Sequence, residues 1–70
     1  MKVEIDKSGV DKRYILRCQF GTATVVVRAV SDEWIEVEIE VGRLRGIIEE
    51  WGPGDRKYVC VSECVFSVPG

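Results

Sequence analysis

The chain predicts an all-β fold: a small antiparallel meander of five to six strands, curled into a small barrel. Three observations carry this. Apolar and polar residues alternate at period two over most of the sequence, the pattern of a strand that buries one face and wets the other. No segment of helical length repeats apolar residues at i, i+3, i+4 and i+7. Turn signals, most of them carrying glycine, interrupt the alternation at short intervals. An open sheet completed by dimerisation fits the same pattern and is the second reading, because a short meander has two edges to protect.

Strands are expected over Lys2 to Asp6, Arg13 to Phe20, Ala23 to Val30, Trp34 to Val41, Leu44 to Trp51, and Lys57 to Val68. The breaks fall at Lys7-Ser8-Gly9, Gly21-Thr22, Ser31-Asp32-Glu33, Gly42-Arg43 and Gly52-Pro53-Gly54-Asp55. Loop length must keep the apolar faces of paired strands on one side of the sheet. A two-residue loop at Gly21-Thr22 does this for Tyr14, Leu16, Cys18 and Phe20 against Ala23, Val25, Val27 and Ala29. A second at Gly42-Arg43 does it for Ile35, Val37, Ile39 and Val41 against Leu44, Gly46 and Ile48. Both loops have the Gly-X form of a type II′ turn. The loop from Gly52 to Arg56 then sets Cys60 opposite Ile48, Ser62 opposite Gly46 and Cys64 opposite Leu44. The last strand is apolar on both faces, which suits a central or covered position.

The same register predicts the outer face. It places Trp34 directly opposite Trp51, Arg28 facing Glu36, and Arg45 between Glu40 and Glu63. Ile47 faces Val61, with Val26 on the neighbouring strand. Trp34, Trp51, Ile47, Val26 and Val61 thus form an outward apolar group. Such a group is a contact surface, unless Met1 to Asp6 or Phe66 to Gly70 folds over it as a second small core.

A chain of 70 residues has enough length for one core, so residues 1–70 are read as a single domain. Domains this small commonly add a staple or a partner subunit, which makes a homo-oligomer or a protein partner the expected association. The 10 Lys+Arg against 12 Asp+Glu leave a net charge of −2, which disfavours broad attraction to nucleic acid or to anionic membranes. No apolar run approaches the roughly 20 residues of a membrane span, and Met1 to Val10 is not a signal peptide; a cytoplasmic protein is expected. His and Asn are absent, Gln19 is the only Gln, and 31% of residues are charged, a composition resembling that of hyperthermophile proteins.

Without histidine the commonest acid–base catalyst is missing. Glu36, Glu38 and Glu40 share one strand face and, with Glu49 and Glu50, could suggest a carboxylate or cation site, but alternating glutamates fit a solvated strand face better. No nucleophile, phosphate-loop or dinucleotide motif occurs, so no enzyme and no cofactor are expected. Cys18, Cys60 and Cys64 form no C-x-x-C pair, which leaves small buried thiols as the first reading. One intracellular disulfide is the thermophile alternative, and a cysteine-based metal or redox site is another. On an extended strand Cys60 and Cys64 lie roughly 13 Å apart, so an intrachain bridge requires Cys18.

Aromatic platforms beside basic residues also suit single-stranded nucleic acid, and Trp34, Trp51, Arg43, Arg45, Arg56 and Lys57 can be combined in that way. The acidic neighbours Glu36, Glu38, Glu49 and Glu50 oppose it. Gly46-Ile47-Ile48-Glu49-Glu50-Trp51-Gly52-Pro53, followed by Tyr58-Val59-Cys60-Val61, resembles a strand–Gly-Pro–strand segment of the small barrel subunit of H/ACA guide ribonucleoproteins. It covers about a quarter of the chain. No proline precedes Tyr58, and the spacing is one residue short. The resemblance implies an accessory role in RNP assembly, with Trp51, Gly52, Pro53 and Tyr58 at a protein interface. The expectation from the residues themselves is a non-enzymatic interaction module that self-associates or docks on a protein partner.

Overall fold

The computed structural model describes residues 2–69; Met1 and Gly70 lie outside the described residues. Among the described residues eight strands follow in order: β1 (Lys2–Val3), β2 (Arg13–Cys18), β3 (Gly21–Val30), β4 (Trp34–Gly42), β5 (Leu44–Arg45), β6 (Glu50–Trp51), β7 (Arg56–Cys60) and β8 (Val65–Ser67). Single 3₁₀ turns stand at Lys7–Gly9 and Val61–Glu63. No helix among the described residues is long and apolar enough to cross a membrane. The antiparallel all-β expectation holds.

The meander does not run to its end. Six strands form one sheet in the order β1-β8-β2-β3-β4-β7, while β5 and β6 pair only with each other. The expected strand from Leu44 to Trp51 is instead a tight hairpin, with Gly46 N–H donating to the Glu49 carbonyl at 2.7 Å. The expected strand from Lys57 to Val68 is split by the Val61–Glu63 turn. The strand expected over Lys2 to Asp6 stops at Val3. Asp6 caps the first 3₁₀ turn by accepting the Ser8 N–H at 2.9 Å. The hydrogen bonds from the Ser8 hydroxyl and N–H hold the Asp6 carboxyl below its ordinary range.

The sheet cannot be flat. Four inter-strand spacings separate β7 from β8 in the sheet order, or about 19 Å at roughly 4.8 Å each. The link between them is one 3₁₀ turn and the extended residue Cys64, which spans roughly 13 Å. The sheet therefore bends until its β7 edge approaches β2 and β8. Among the described residues no ladder joins β7 to β1 or β8, and side chains fill the seam: Lys57 Nζ of β7 lies 4.2 Å from the Phe20 ring centroid, just past β2.

The facing rule survives even where the turn moves. Cys18 pairs with Gly21, so the β2–β3 loop is Gln19-Phe20 rather than Gly21-Thr22. The pairing slides by an even number of positions, so the two inward sets still face each other, with Leu16 now meeting Ala23 and Tyr14 meeting Val25. Gly21 and Gly42, the two glycines expected in type II′ turns, both have positive φ, +122° and +95°, conformations that L side chains rarely adopt. Gly42 uses that freedom to leave the sheet rather than to close a hairpin. The Gly52–Asp55 break forms as expected: Asp55 N–H donates to the Gly52 carbonyl at 3.0 Å and Gly54 N–H to the Ile39 carbonyl at 2.7 Å, docking the turn on β4.

The core is Leu16, Ala23, Val25, Val27, Ile35, Val37, Ile39, Leu44, Val59 and Phe66. Eight of these were expected inside; Val59 and Phe66 were not. Two bulges between β3 and β4 explain why Ala29 and Val41, also expected inside, are exposed. Arg28 is the extra residue between Val27 and Ala29, and Glu40 the extra residue between Ile39 and Val41. Each bulge inverts the facing pattern beyond it, which turns Ala29 and Val41 outward. Val59 is inward because β7 pairs with β4, placing Val59 against Ile35. Ile48, expected inside, stands 92% exposed at the β5–β6 tip.

The two isoleucines give a direct check of this packing. Ile35 is 1% exposed, so Ile35→Ala is expected to lose about 2–5 kcal/mol of unfolding free energy in urea titration. Ile48→Ala should stay within about 0.5 kcal/mol of the parent, although the simple alternation places both residues in the core.

Candidate functional site

The outer face of the curled sheet is dominated by charge that neutralises itself. Glu36 and Glu38 of β4 point away from the core residues Ile35, Val37 and Ile39. Glu38 Oε1 accepts from Arg28 Nε at 3.3 Å and from Arg56 Nε at 3.2 Å, binding β3 and β7 to β4. Arg28 also donates to Asp11 at 2.9 Å, which with Glu38 raises the guanidinium above its ordinary pKa. Arg13 pairs with Glu40, and Arg43 with Glu50 at 3.0 Å. Arg28 thus meets Glu38 rather than Glu36, because it is the bulge residue. Arg45 meets Glu50 at 3.7 Å rather than Glu40 and Glu63, because β5 has left the sheet.

The expected Trp34–Trp51 neighbour pair does not form. Trp34 lies opposite Cys60 across β4 and β7, and Trp51 opposite Leu44 in the small hairpin. Trp51 is half-buried, edge-on to Phe20 with ring centroids 5.5 Å apart. Lys57 Nζ sits 3.8 Å from the Trp51 centroid, so one ammonium bridges two aromatic faces by cation–π attraction. This cluster closes one end of the seam and pins the hairpin to the sheet. Val26 is half-buried on the outer face of β3, between Arg13 and Glu38. Ile47 is fully exposed beside Ile48 at the hairpin tip.

A different apolar group gathers at the other end of β7. Trp34 is 49% exposed, Tyr58 63% and Val61 41%. Trp34 opposes Cys60 while Glu36 opposes Tyr58, so Trp34 and Tyr58 are diagonal neighbours on one face. Val61 N–H donates to the Glu33 carbonyl at 2.9 Å, which carries the chain past Trp34 as the 3₁₀ turn begins. Trp34 and Val61 share the rim of one depression. The exposed Tyr58 was not singled out on physical grounds, since alternation within an apolar strand does not say which face is wet.

Around the corner lies a cleft of about 230 Å³ whose walls include Cys18, Cys60 and Cys64 together with Phe20, Trp34 and Lys57. The chain turns into it because the 3₁₀ turn brings the end of β7 back to β2; Gln19 Nε2 reaches Glu63 Oε2 at 3.4 Å across this gap. All three cysteines are half-buried free thiols. Cys60 Sγ lies 3.2 Å from Ser62 Oγ. Burial pushes the Cys64 thiol up to about 12, assisted by the adjacent Cys18 and by Cys60. Among the described residues no group of three His, Cys, Asp or Glu is arranged to hold a metal ion.

Comparison with known proteins finds no family pattern, no curated protein and no solved structure that matches this chain. Of the segment from Gly46 to Trp51, expected as a strand in the ribonucleoprotein resemblance, residues 46–49 form the turn of the small hairpin and only Glu50–Trp51 is strand.

The Cys64 environment has a pH consequence. The folded state holds the thiol proton up to about pH 12, whereas the ordinary value is 9.0. Below pH 9.0 both states keep the proton and the contribution to stability is complete. Between pH 9.0 and about 12 the unfolded chain loses it first, so stability falls as pH rises. The urea midpoint of the parent should therefore fall more steeply over that window than the midpoint of Cys64→Ala, in which this contribution is gone.

Proposed function

We propose that this chain is a non-catalytic interaction module, a curled sheet acting as a partly open small barrel, that self-associates or docks on a protein partner through Trp34, Tyr58 and Val61. The observation that carries the reading is the concentration of exposed large apolar side chains beside the unpaired edge of β7. Trp and Tyr are enriched among the residues that dominate interface energetics, and a group of large exposed apolar side chains on one face marks a contact surface. The core alone is small for a stable monomer, so a second copy is the simplest occupant. Trp51 supports the face from behind through Lys57, and Ile47 with Ile48 supplies a second apolar point at the hairpin tip.

A phosphate-binding role is weaker. Arg13, Arg28, Arg43, Arg45 and Arg56 each lie against a carboxylate, and arginines neutralised in this way are poor contributors to the continuous positive track that phosphate binding wants.

The test is solution mass by light scattering, on the parent and on Trp34→Ser/Tyr58→Ser. An oligomer that becomes a folded monomer on double substitution is the expected result. A parent that is monomeric at all concentrations removes self-association, and binding of immobilised candidate proteins then decides the remaining form of the proposal. A double variant that keeps the parent's mass and its binding excludes this face.

A further inference from the structure

The β2–β8 ladder pairs Ile15 with Ser67, Leu16 with Phe66 and Arg17 with Val65. Continued by one step, it sets Cys18 opposite Cys64. Cys64 is extended, with φ −126° and ψ 152°, so the ladder's geometry carries through it. Leu16 and Phe66 are both inward, and two residues further along each strand the side chains return to the same face. Cys18 and Cys64 also line the same cleft. Directly opposed residues of an antiparallel pair have Cα atoms about 4.5–5.5 Å apart, inside the range of about 4.4–6.8 Å that a disulfide spans.

We propose that Cys18 and Cys64 are a redox-linkable pair whose disulfide ties β8 to β2 at the seam, with Cys60 as the remaining free thiol. Cys60 is no longer excluded by distance, because the 3₁₀ turn brings it closer to Cys64 than an extended strand does. It lacks, however, the opposed register that Cys18 has. The oxidant is a low-molecular-weight disulfide. The Cys18 thiolate attacks one of its sulfurs, forming a mixed disulfide and expelling one thiolate. Cys64 then gives its proton to solvent and attacks Cys18 Sγ, expelling the second. Two cysteine thiols are oxidised to one protein disulfide, and the small disulfide is reduced to two thiols. Cys64 keeps its proton at neutral pH, so Cys18 opens the exchange; capping Cys18 also removes two of the influences that hold that proton.

The bond closes the cleft and fixes the C-terminal strand, and with it β1, which pairs with β8 through Val3 and Phe66. It encloses most of the chain in one loop, which restricts the unfolded state strongly.

The experiment is incubation of the folded chain with oxidised glutathione, alkylation of the remaining thiols under denaturing conditions, and peptide mapping by mass spectrometry. The expected product is a chain with no interchain cross-link that has lost two thiol hydrogens, carries a Cys18–Cys64 link and is alkylated only at Cys60. Its thermal midpoint should lie roughly 10 °C or more above that of the reduced chain. Cys60→Ser should form the same link, whereas Cys18→Ser and Cys64→Ser should stop at glutathione adducts. An intrachain bond through Cys60, or three alkylated thiols where the urea-unfolded chain oxidises readily, overturns the proposal. Mapping on the parent decides it even if a variant fails to fold.

Discussion

Val61–Cys64 must carry the chain from one edge of the sheet to a strand next to the opposite edge, and they do it with a single 3₁₀ turn. That shortness is the constraint on which the rest of the molecule depends. A longer link would permit an open, gently twisted sheet with both faces wet. A short one forces the curl that lets Leu16, Val27, Val37, Val59 and Phe66, drawn from five different strands, share one interior. The same turn carries Val61 past Trp34 and delivers Cys64 to the end of β2, so the apolar face and the thiol cleft are both by-products of closing the fold.

The bulges at Arg28 and Glu40 complement the curl. Each adds one residue to a long strand, bends it and increases its twist, and both lie on β3 and β4, the longest strands. The chemistry at the bulges is consistent with their geometry. Arg28, released from its pair, reaches both Asp11 and Glu38. Glu40 takes Arg13 from beyond β3. Such exposed pairs contribute little each, and their role is to keep an acidic strand compatible with its neighbours rather than to supply most of the stability. That comes from the aliphatic interior.

Much of this was legible in the residues because period-two alternation is a local property. Leu16, Val25, Val27, Ile35, Val37 and Ile39 needed only their own neighbours to be assigned inward, and Gly42 and Pro53-Gly54 announced their breaks. Partner choice is not local. Whether β4 meets β5 or β7 depends on whether Gly42 closes a hairpin or leaves the sheet, and Gly-X chemistry permits both. Ile47-Ile48 reads as strand because β-branched residues favour it, yet a glycine on one side and a closing Gly46–Glu49 hydrogen bond make it a turn. The outward group of Trp34, Trp51, Ile47, Val26 and Val61 followed from the lost β4–β5 pairing. Once that pairing is replaced, Trp34 and Val61 remain together and Tyr58 takes the place beside them. The thiol cluster was hidden for the same reason: a continuous last strand keeps Cys60 and Cys64 apart, and only a turn between them brings all three cysteines to one seam.

Among the described residues no backbone ladder crosses the seam. Between β2 and β7 closure rests on Lys57 over Phe20 and Trp51, on Gln19 with Glu63, and on the packing of three half-buried thiols. Regions secured by side chains rather than by a ladder open at lower free energy than the strands around them. Trp34 and Tyr58 stand on one bank of this seam and Cys18 on the other. A partner seated on the apolar face therefore braces the bank that the thiols must approach, and a bond between Cys18 and Cys64 stiffens the platform that presents Trp34. The two sites are separate in chemistry but joined through one weak line in the sheet, because the link that creates both is too short to let either bank move alone.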